Sequence, residues 1–174
     1  MKTEKVGIAL GSNLGDRGQH LRLGFDFLRS LSFSDESEGH FLASRIYLTE
    51  PVDCPPGSPP FLNAVAEIST TLTPEALLAR LQGYERHLGR PEVRPVNSPR
   101  PLDLDILYIG ARQIATDHLI VPHPRMTQRL FVLVPLTDIR PGLVLPGESQ
   151  TVRELADHLL SETVEALRPE PADC

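Results

Sequence analysis

The sequence lacks the usual marks of a secreted, membrane or nucleic-acid-binding protein. Its 174 residues include no tryptophan and two cysteines, Cys54 and Cys174, too few for a disulfide framework or a cysteine metal site. Apolar runs are too short for a membrane span, and residues 1–5 lack the hydrophobic stretch of a signal peptide. A net charge of −6 gives no basic excess for nucleic-acid phosphates. We therefore expect a cytoplasmic protein that binds neither membrane nor nucleic acid.

Proline is unusually frequent, with 17 copies, many of them in residues 51–60 and 91–101. Because proline fixes φ and removes an amide donor, both stretches are predicted to be loops. Strand-like sequence resumes on both sides of each, which argues against a linker between domains. The length suits one domain with a sizeable core. We predict a single domain over residues 1–174, with an ordered core at about residues 5–167.

The predicted elements follow the order β-α-β-β-α-β, with a further strand and helix at the C-terminal end. Apolar or alternating runs predict strands at residues 6–10, 41–48, 61–71, 102–109 and 131–136. Asp16 and Thr73-Pro74 are helix-start signals. Thr151 and Glu154 form a capping box for a last helix through about residue 167. This order is that of the ferredoxin-like motif, so the predicted fold class is α+β, with helices packed on the sheet.

Two aspartates lie within the strongest predicted strand. Side chains two residues apart share one face of a strand, so Asp103 and Asp105 project together, and Leu104, Ile106 and Tyr108 face the other way. Two such carboxylates resist joint ionisation, and a divalent cation relieves that conflict. A few oxygen ligands that leave room for water and phosphate suit Mg²⁺ better than zinc.

Arginines next to this pair change its interpretation. An isolated Asp-x-Asp is more often an ordinary solvated strand face. Here Arg100 closely precedes the pair, and Arg94 and Arg90 lie further upstream. Guanidinium groups and a metal together neutralise a polyphosphate chain. The sequence therefore predicts a magnesium site that handles an anionic phosphate substrate.

The segment Pro99-Arg100-Pro101-Leu102-Asp103-Leu104-Asp105 resembles the 6-hydroxymethyl-7,8-dihydropterin pyrophosphokinases. The resemblance covers nearly the whole chain, in order. Its other segments are Gly11-Ser12-Asn13-Leu14-Gly15, Thr49-Glu50-Pro51-Val52, Phe61-Leu62-Asn63-Ala64, Val121-Pro122-His123-Pro124 and Arg129-Leu130-Phe131. The common order and spacing of these segments carry the resemblance.

This resemblance implies a ferredoxin-like domain that transfers the β,γ-pyrophosphoryl unit of ATP to the hydroxymethyl oxygen of a dihydropterin. AMP is released, in a step of folate synthesis. The implied substrates are ATP and the pterin, and neighbouring folate-pathway enzymes are possible partners. Asp103 and Asp105 would hold two Mg²⁺ ions. Arg90 and Arg100 would contact phosphate or stabilise the transferring group.

The resemblance also implies two sets of binding residues. The nucleotide set consists of Gln82, Glu85, His123 and Arg129. The pterin set consists of Asn63, Phe131, Phe61, Thr49 and Val52. A flat, aromatic pterin with donors and acceptors along its edge needs a stacking face and an amide that both donates and accepts.

Simpler interpretations of these residues exist without the resemblance. Phe131 and Phe61 fit an ordinary core, Asn63 fits turn chemistry, and His123 between prolines fits a structural loop. Gln82 and Glu85, three residues apart, fit a solvated helix face, and Gly11 and Gly15 fit plain turns. Only the resemblance raises these residues to candidates.

The chain departs from the family pattern in the proline-rich segment of residues 90–101. Val96, Asn97 and Ser98 stand where the family commonly has a basic residue, an aromatic one and a small one. Glu92 stands near a position that is arginine in some members. We therefore predict intact metal and pterin sites beside an atypical loop.

Two other functions remain open from the sequence. One is a degenerate family member that binds pterin or nucleotide without turnover. The other is a different two-metal nucleotidyl transferase, which would share the aspartates but would not need Asn63 and Phe131.

Overall fold

The computed structural model describes residues 2–33, 41–50, 54, 56–91, 93, 98–163 and 167–170. They form an antiparallel sheet with helices on both faces. The strands are β1 (Glu4–Ser12), β2 (Phe41–Ala43), β3 (Tyr47–Thr49), β4 (Phe61–Thr70), β5 (Asp103–Ile109), β6 (Ile114–Ala115), β7 (Ile120–Val121) and β8 (Leu167–Pro169). The α-helices are α1 (Arg17–Leu31), α2 (Pro74–His87), α3 (Leu130–Ile139) and α4 (Val152–Glu162), and a 3₁₀ turn covers Met126–Gln128.

The main sheet has the strand order β5-β1-β4-β3-β8, and β2 also pairs with β4. All of the pairings of β1, β3 and β4 are antiparallel. β6 and β7 form a separate two-stranded ribbon. The central strand β4 is buried along its whole length because the sheet is covered on both faces.

Two hydrophobic cores lie on opposite faces of the sheet. One joins α1 and α2 to the sheet through Leu21, Leu28, Leu77 and Leu81. The other joins α3 and α4 through Leu133, Leu136, Val152 and Ala156. The second face is the one that carries the candidate site. Within the described residues, no helix is both long enough and apolar enough to cross a membrane.

The helix starts lie where the sequence predicts them. Asp16 accepts a hydrogen bond from the Gln19 amide at 3.0 Å, and Thr73 caps α2 ahead of Pro74. Thr151 and Glu154 form the expected capping box of α4. Such caps satisfy amides that have no partner inside the helix. The α4 helix ends at Glu162, before the predicted residue 167, and Leu167 instead begins β8, which pairs with β3.

The predicted strand at residues 131–136 is wrong, because these residues lie in α3. An unbroken apolar run has neither helical nor strand periodicity, so the sequence does not distinguish a buried strand from a buried helix. Pro135 suggested a strand edge, yet it lies inside the helix. The consequence is functional: Arg129 and Phe131 lie at the start of a helix and enter the site from there.

The predicted facing of Tyr108 is also wrong. The pairing of β1 with β5 shifts between Gly7 and Ile8, which face Tyr108 and Ile106, so Leu107 is the extra residue of a β-bulge. A bulge reverses the alternation beyond it. Leu104 and Ile106 face α1 and α2 as predicted, whereas Leu107 and Tyr108 face α3 with the aspartates.

The predicted strand at residues 41–48 is broken into β2 and β3. Ser44 interrupts it: its amide donates to the Val65 carbonyl at 2.8 Å, and its hydroxyl accepts from the Val65 amide at 2.9 Å. Arg45 then turns towards Asp138 of α3, with an Nη2–Oδ1 distance of 3.0 Å. The predicted strand is therefore divided where it contacts this helix.

The C-terminal end of α3 is fixed to the sheet by charged contacts. Asp138 also accepts from the Tyr47 hydroxyl at 2.8 Å. Just beyond the helix, Arg140 contacts the buried carboxylate of Glu67 with an Nη2–Oε1 distance of 2.6 Å. These contacts hold one end of α3, and its other end points Arg129 and Phe131 at the site.

Candidate active site

A cleft opens on the α3 side of the sheet, where β1, β4 and β5 lie side by side. It contains about 820 Å³ of empty space, counting the part open to solvent. Nine of the sequence-predicted site residues line it: Thr49, Phe61, Asn63, Arg100, Asp103, Asp105, His123, Arg129 and Phe131. The cleft therefore brings together residues from five separate parts of the chain.

The two aspartates lie on the same side of β5, as the spacing predicts, and both line the cleft. Arg90 Nη1 lies 2.8 Å from Asp103 Oδ1, and Arg100 Nε lies 3.5 Å from Asp103 Oδ2. Each oxygen of Asp103 thus faces a guanidinium group. Asp105 has no such direct contact among the ion pairs of the described residues.

Glu85 brings a third carboxylate behind this pair. It is 5% exposed, so a solvated helix face is the wrong interpretation for this residue, although Gln82 is exposed. Glu85 Oε1 accepts from the Leu104 amide at 2.7 Å, between the two aspartates. Glu85 Oε2 lies 2.5 Å from Arg90 Nη1. Glu85 therefore holds both β5 and Arg90.

Burial and neighbouring carboxylates raise the pKa of Asp105 and of Glu85. Burial, together with the charges of Asp103 and Glu85, raises the pKa of Asp105 to about 7, against the opposing effect of Arg100 and Arg129. Burial and Asp103 likewise raise the pKa of Glu85 to about 7, although the Leu104 amide and Arg90 oppose the shift. The ionised forms would be stabilised by further positive charge at this position.

These residues fit a magnesium ion. Asp103 and Asp105 present carboxylate oxygens to an open cleft, and the raised pKa of Asp105 is that of a group which gains from a nearby cation. Among the residues that the structure describes, no cluster of three or more His, Cys, Asp or Glu side chains could form a closed metal cage. Mg²⁺ commonly binds through one or two carboxylates and completes its shell with water and phosphate.

Arg100 is held in place by Asn13. The Arg100 amide donates to Asn13 Oδ1 at 2.8 Å, and the Asn13 amide donates to the Arg100 carbonyl at 3.2 Å. The guanidinium carbon of Arg100 lies 5.4 Å from the centre of the Phe61 ring. The glycine-rich turn therefore positions the Arg100 guanidinium near the end of the proline-rich segment.

A second part of the cleft combines an amide with aromatic rings. Asn63 is 7% exposed and donates through Nδ2 to Thr49 Oγ1 at 2.6 Å. Gly11 on the adjacent strand makes room for it, because a Cβ there would lie 2.9 Å from Asn63 Oδ1. Phe131 stands across the cleft, with the Arg129 guanidinium carbon 5.4 Å from its ring centre.

His123 lies on the loop that follows β7. Its amide donates to the Leu107 carbonyl at 2.8 Å, and its Nδ1 accepts from the Arg125 amide at 3.1 Å. Burial and the charges of Arg129 and Arg125 lower the pKa of His123 below its ordinary value. The ring is therefore neutral near pH 7, with Nδ1 as its acceptor.

Not every predicted residue lines the cleft. Glu85 and Arg90 lie beside it, behind Asp103, and Gln82 is exposed on α2 outside the lining. Val52, and the loop positions Glu92 and Asn97, lie outside the described residues.

The sequence alone missed two contributors, Asn13 and Arg125. Asn13 stands in the sequence as one member of a glycine loop, and the sequence gives Glu85 as a site residue without indicating that it is buried. Arg125 also lines the cleft. Asn13 had a detectable signal, because asparagine beside a turn glycine often binds neighbouring backbone. The burial of Glu85 depends on tertiary packing and left no signal.

Comparison with known proteins identifies the family of this chain. A family model described as 7,8-dihydro-6-hydroxymethylpterin-pyrophosphokinase (HPPK) matches residues 7–141. The chain belongs to this family. A Bacillus subtilis relative named 2-amino-4-hydroxy-6-hydroxymethyldihydropteridine pyrophosphokinase is 46% identical over 133 residues, which are 76% of this chain and 75% of the relative.

Other family members are parts of longer proteins. The folic acid synthesis protein fol1 of Pneumocystis carinii is 36% identical over 95% of this chain, which spans 22% of that relative. The folate synthesis bifunctional protein of Arabidopsis thaliana is 41% identical over 78% of this chain, which spans 27% of that relative. A solved HPPK-DHPS structure in complex with substrates has a TM-score of 0.72 at 12% identity, covering 93% of this chain and 44% of its own, and supports the fold alone.

Proposed function

We propose that this chain transfers the β,γ-pyrophosphoryl unit of ATP to the hydroxymethyl oxygen of 6-hydroxymethyl-7,8-dihydropterin, a step of folate synthesis that releases AMP. The observation that carries the proposal is the grouping of Asp103, Asp105 and Arg100 in one cleft with Asn63 and Phe131. Family membership supports the same reaction. A pterin site alone would explain Asn63 and Phe131 but not the carboxylate pair.

The metal site of the proposed enzyme consists of Asp103 and Asp105, which would hold the two Mg²⁺ ions that the resemblance implies. Bound Mg²⁺ would neutralise phosphate charge and act as a Lewis acid. The two carboxylates provide few ligands, so phosphate oxygens can join them.

Arg100 has the position of a residue that stabilises the transferring group. Its guanidinium lies near both Asp103 and Phe61, at the junction of the metal and aromatic parts of the cleft. Phosphoryl-type transfer depends mostly on positioning and charge neutralisation. Arg129 and His123 are proposed to contact the phosphates from the opposite side.

The pterin is proposed to bind beside Asn63, between the aromatic rings of Phe61 and Phe131. Asn63 already donates to Thr49, and its Oδ1 remains an acceptor for a ring-edge donor. The hydroxymethyl arm would then point towards Arg100 and the aspartates. Val52 is proposed to contribute backbone contacts.

Gln82, Glu85 and Arg90 are the less direct members of the proposed nucleotide site. Glu85 Oε1 accepts from the Leu104 amide, and Oε2 contacts Arg90. A structural role that supports β5 therefore accounts for both contacts. Arg90 would approach phosphate from the start of the proline-rich segment, and Gln82 from the exposed face of α2.

We also infer that the sheet is ferredoxin-like, with its second strand divided into β2 and β3. The strand order supports this reading. Relatives that join this unit to further folate-synthesis activity suggest that other folate-pathway enzymes act beside it. A cytoplasmic location remains a prediction.

Ligand binding tests this proposal without turnover. The pterin is titrated by calorimetry into protein with a non-hydrolysable ATP analogue, with and without Mg²⁺. We expect tight pterin binding that depends on both nucleotide and metal, and loss of the metal dependence in Asp103→Asn. Pterin binding indifferent to Mg²⁺ would support a binding module, and absence of pterin binding would support another nucleotidyl transferase.

A further inference from the structure

We propose that Arg90 competes with the metal for Asp103, and that Glu85 is the partner onto which Arg90 withdraws when a metal binds. This inference rests on the proposed metal site. It makes Arg90 a residue that controls the affinity of the carboxylate pair for a free cation.

The contact that carries the inference is a bridge made by one atom. Arg90 Nη1 lies 2.8 Å from Asp103 Oδ1 and 2.5 Å from Glu85 Oε2. A guanidinium nitrogen at hydrogen-bond distance occupies the same lone-pair region that a metal ion needs. A Mg²⁺ ion lies only about 2.1 Å from a ligand oxygen, so it would meet the Arg90 cation at close range. Like charges at that separation repel strongly.

Glu85 gives Arg90 a second position that keeps it paired. Glu85 Oε1 is fixed by the Leu104 amide, so Oε2 stays directed at Arg90 whether or not Asp103 is engaged. If the partly buried Arg90 guanidinium lost Asp103 without such a partner, its unpaired charge would be destabilising. With Glu85 in place, the exchange at Asp103 leaves no cation unpaired.

The backbone around Arg90 suits this exchange. Its amide donates to the Glu85 carbonyl at 3.1 Å, which anchors the residue to the end of α2. Gly89 supports the turn with a φ of +99°, and a Cβ added there would meet no atom within 4 Å beyond its chain neighbours. The main chain is thus held while the long side chain, 24% exposed, can change partner.

The consequence is a preference for metal that arrives with its nucleotide. A free cation must displace Arg90 from Asp103 with no new anion for the guanidinium except Glu85. A metal bound to a polyphosphate brings anionic oxygens that Arg90 can meet as it leaves. The contact between Asp103 and Arg90 would therefore weaken the binding of free metal relative to the binding of the metal–nucleotide complex.

Binding of Mn²⁺ alone tests the competition, with the signal of free Mn²⁺ followed by electron paramagnetic resonance and no nucleotide present. Arg90→Gln should bind Mn²⁺ about tenfold more tightly than the unchanged protein. Arg86→Gln is the matched control, because Arg86 is an exposed arginine in the last turn of α2, four residues before Arg90. It should stay within about twofold, which excludes a general loss of positive charge.

Two further variants separate the possible outcomes. Arg90→Lys keeps the charge and should fall between the unchanged protein and Arg90→Gln, which covers the case in which Arg90→Gln fails to fold. Asp103→Asn combined with Arg90→Gln should lose the gain. If the gain survives in the double variant, the ion binds elsewhere and the proposed metal site fails. If the gain never appears in Arg90→Gln or Arg90→Lys, while Asp103→Asn weakens Mn²⁺ binding, the metal site stands and the competition is overturned.

Discussion

Asn13 and Arg100 bind each other through both backbone and side chain, although 87 residues separate them in sequence. Asn13 is 1% exposed, and its Nδ2 is a buried donor without a partner in the described structure. Its Oδ1 is used entirely to hold the Arg100 amide. The position of Arg100 therefore depends on a residue outside the cleft lining.

The first prediction concerns this pair. Asn13→Ala should lower kcat by about tenfold, because the loss of one buried hydrogen bond is worth roughly 1–2 kcal/mol and lets Arg100 move. The KM for pterin should change little. Steady-state kinetics of Asn13→Ala, Arg100→Ala and the variant that combines them form a double-mutant cycle. If Asn13→Ala lowers kcat equally with and without Arg100, it does not act through Arg100.

The second prediction concerns the carboxylate pair. Asp103→Asn and Asp105→Asn should each lower turnover by on the order of a thousandfold, because a metal ligand provides several kcal/mol of charge stabilisation. Circular dichroism should show an unchanged fold, since both side chains face an open cleft. Turnover close to the unchanged protein at ordinary Mg²⁺ in either variant would make the metal assignment wrong.

The sequence predicted this pair because its geometry is local. Side chains two apart on a strand share a face whatever the rest of the chain does, and helix caps such as Thr73 and Thr151 are equally local. The facing of Tyr108 failed because a bulge opposite Gly7 and Ile8 depends on how two distant strands pair. A Cβ at Gly7 would clash with the Tyr108 ring, and this close approach arises only when the two strands pair.

The helix at Phe131 and the burial of Glu85 likewise depend on tertiary packing, so the local sequence does not predict them. An apolar run that is buried on several sides shows no period, so the surrounding layers decide between strand and helix. In the sequence, Glu85 fits a solvated helix face because polar Gln82 stands three residues before it. Only the packing of α2 against β5 places it behind the aspartates.

The third prediction concerns pterin recognition. Asn63→Ala should weaken pterin binding by roughly ten- to a hundredfold, because a buried amide that pairs with a ring edge is worth about 1–3 kcal/mol. Affinity for the non-hydrolysable ATP analogue should be unchanged. Leu62→Ala is the control, since Leu62 is buried on the opposite face of β4 and should reduce stability without a selective effect on pterin. Equal losses for pterin and nucleotide in Asn63→Ala would contradict the assignment.

The fourth prediction concerns pH. The native pKa of His123 is lowered by burial and by Arg129 and Arg125. The unfolded chain therefore binds this proton more readily, and stability falls as pH drops below about 6.5, the ordinary histidine value. His123→Asn should reduce that fall, measured by chemical unfolding between pH 7 and pH 5. Exposed His118→Asn should leave it unchanged, and equal curves for His123→Asn and the unchanged protein would refute the prediction.

The identity of the nucleotide product tests the central claim most directly. Protein, ATP, Mg²⁺ and 6-hydroxymethyl-7,8-dihydropterin are incubated, and the products are separated by chromatography and identified by mass. We predict AMP and a pterin diphosphate in a one-to-one ratio, and we expect Asp103→Asn to form neither product. ADP with a pterin monophosphate, or no consumption of ATP that depends on pterin, would contradict it.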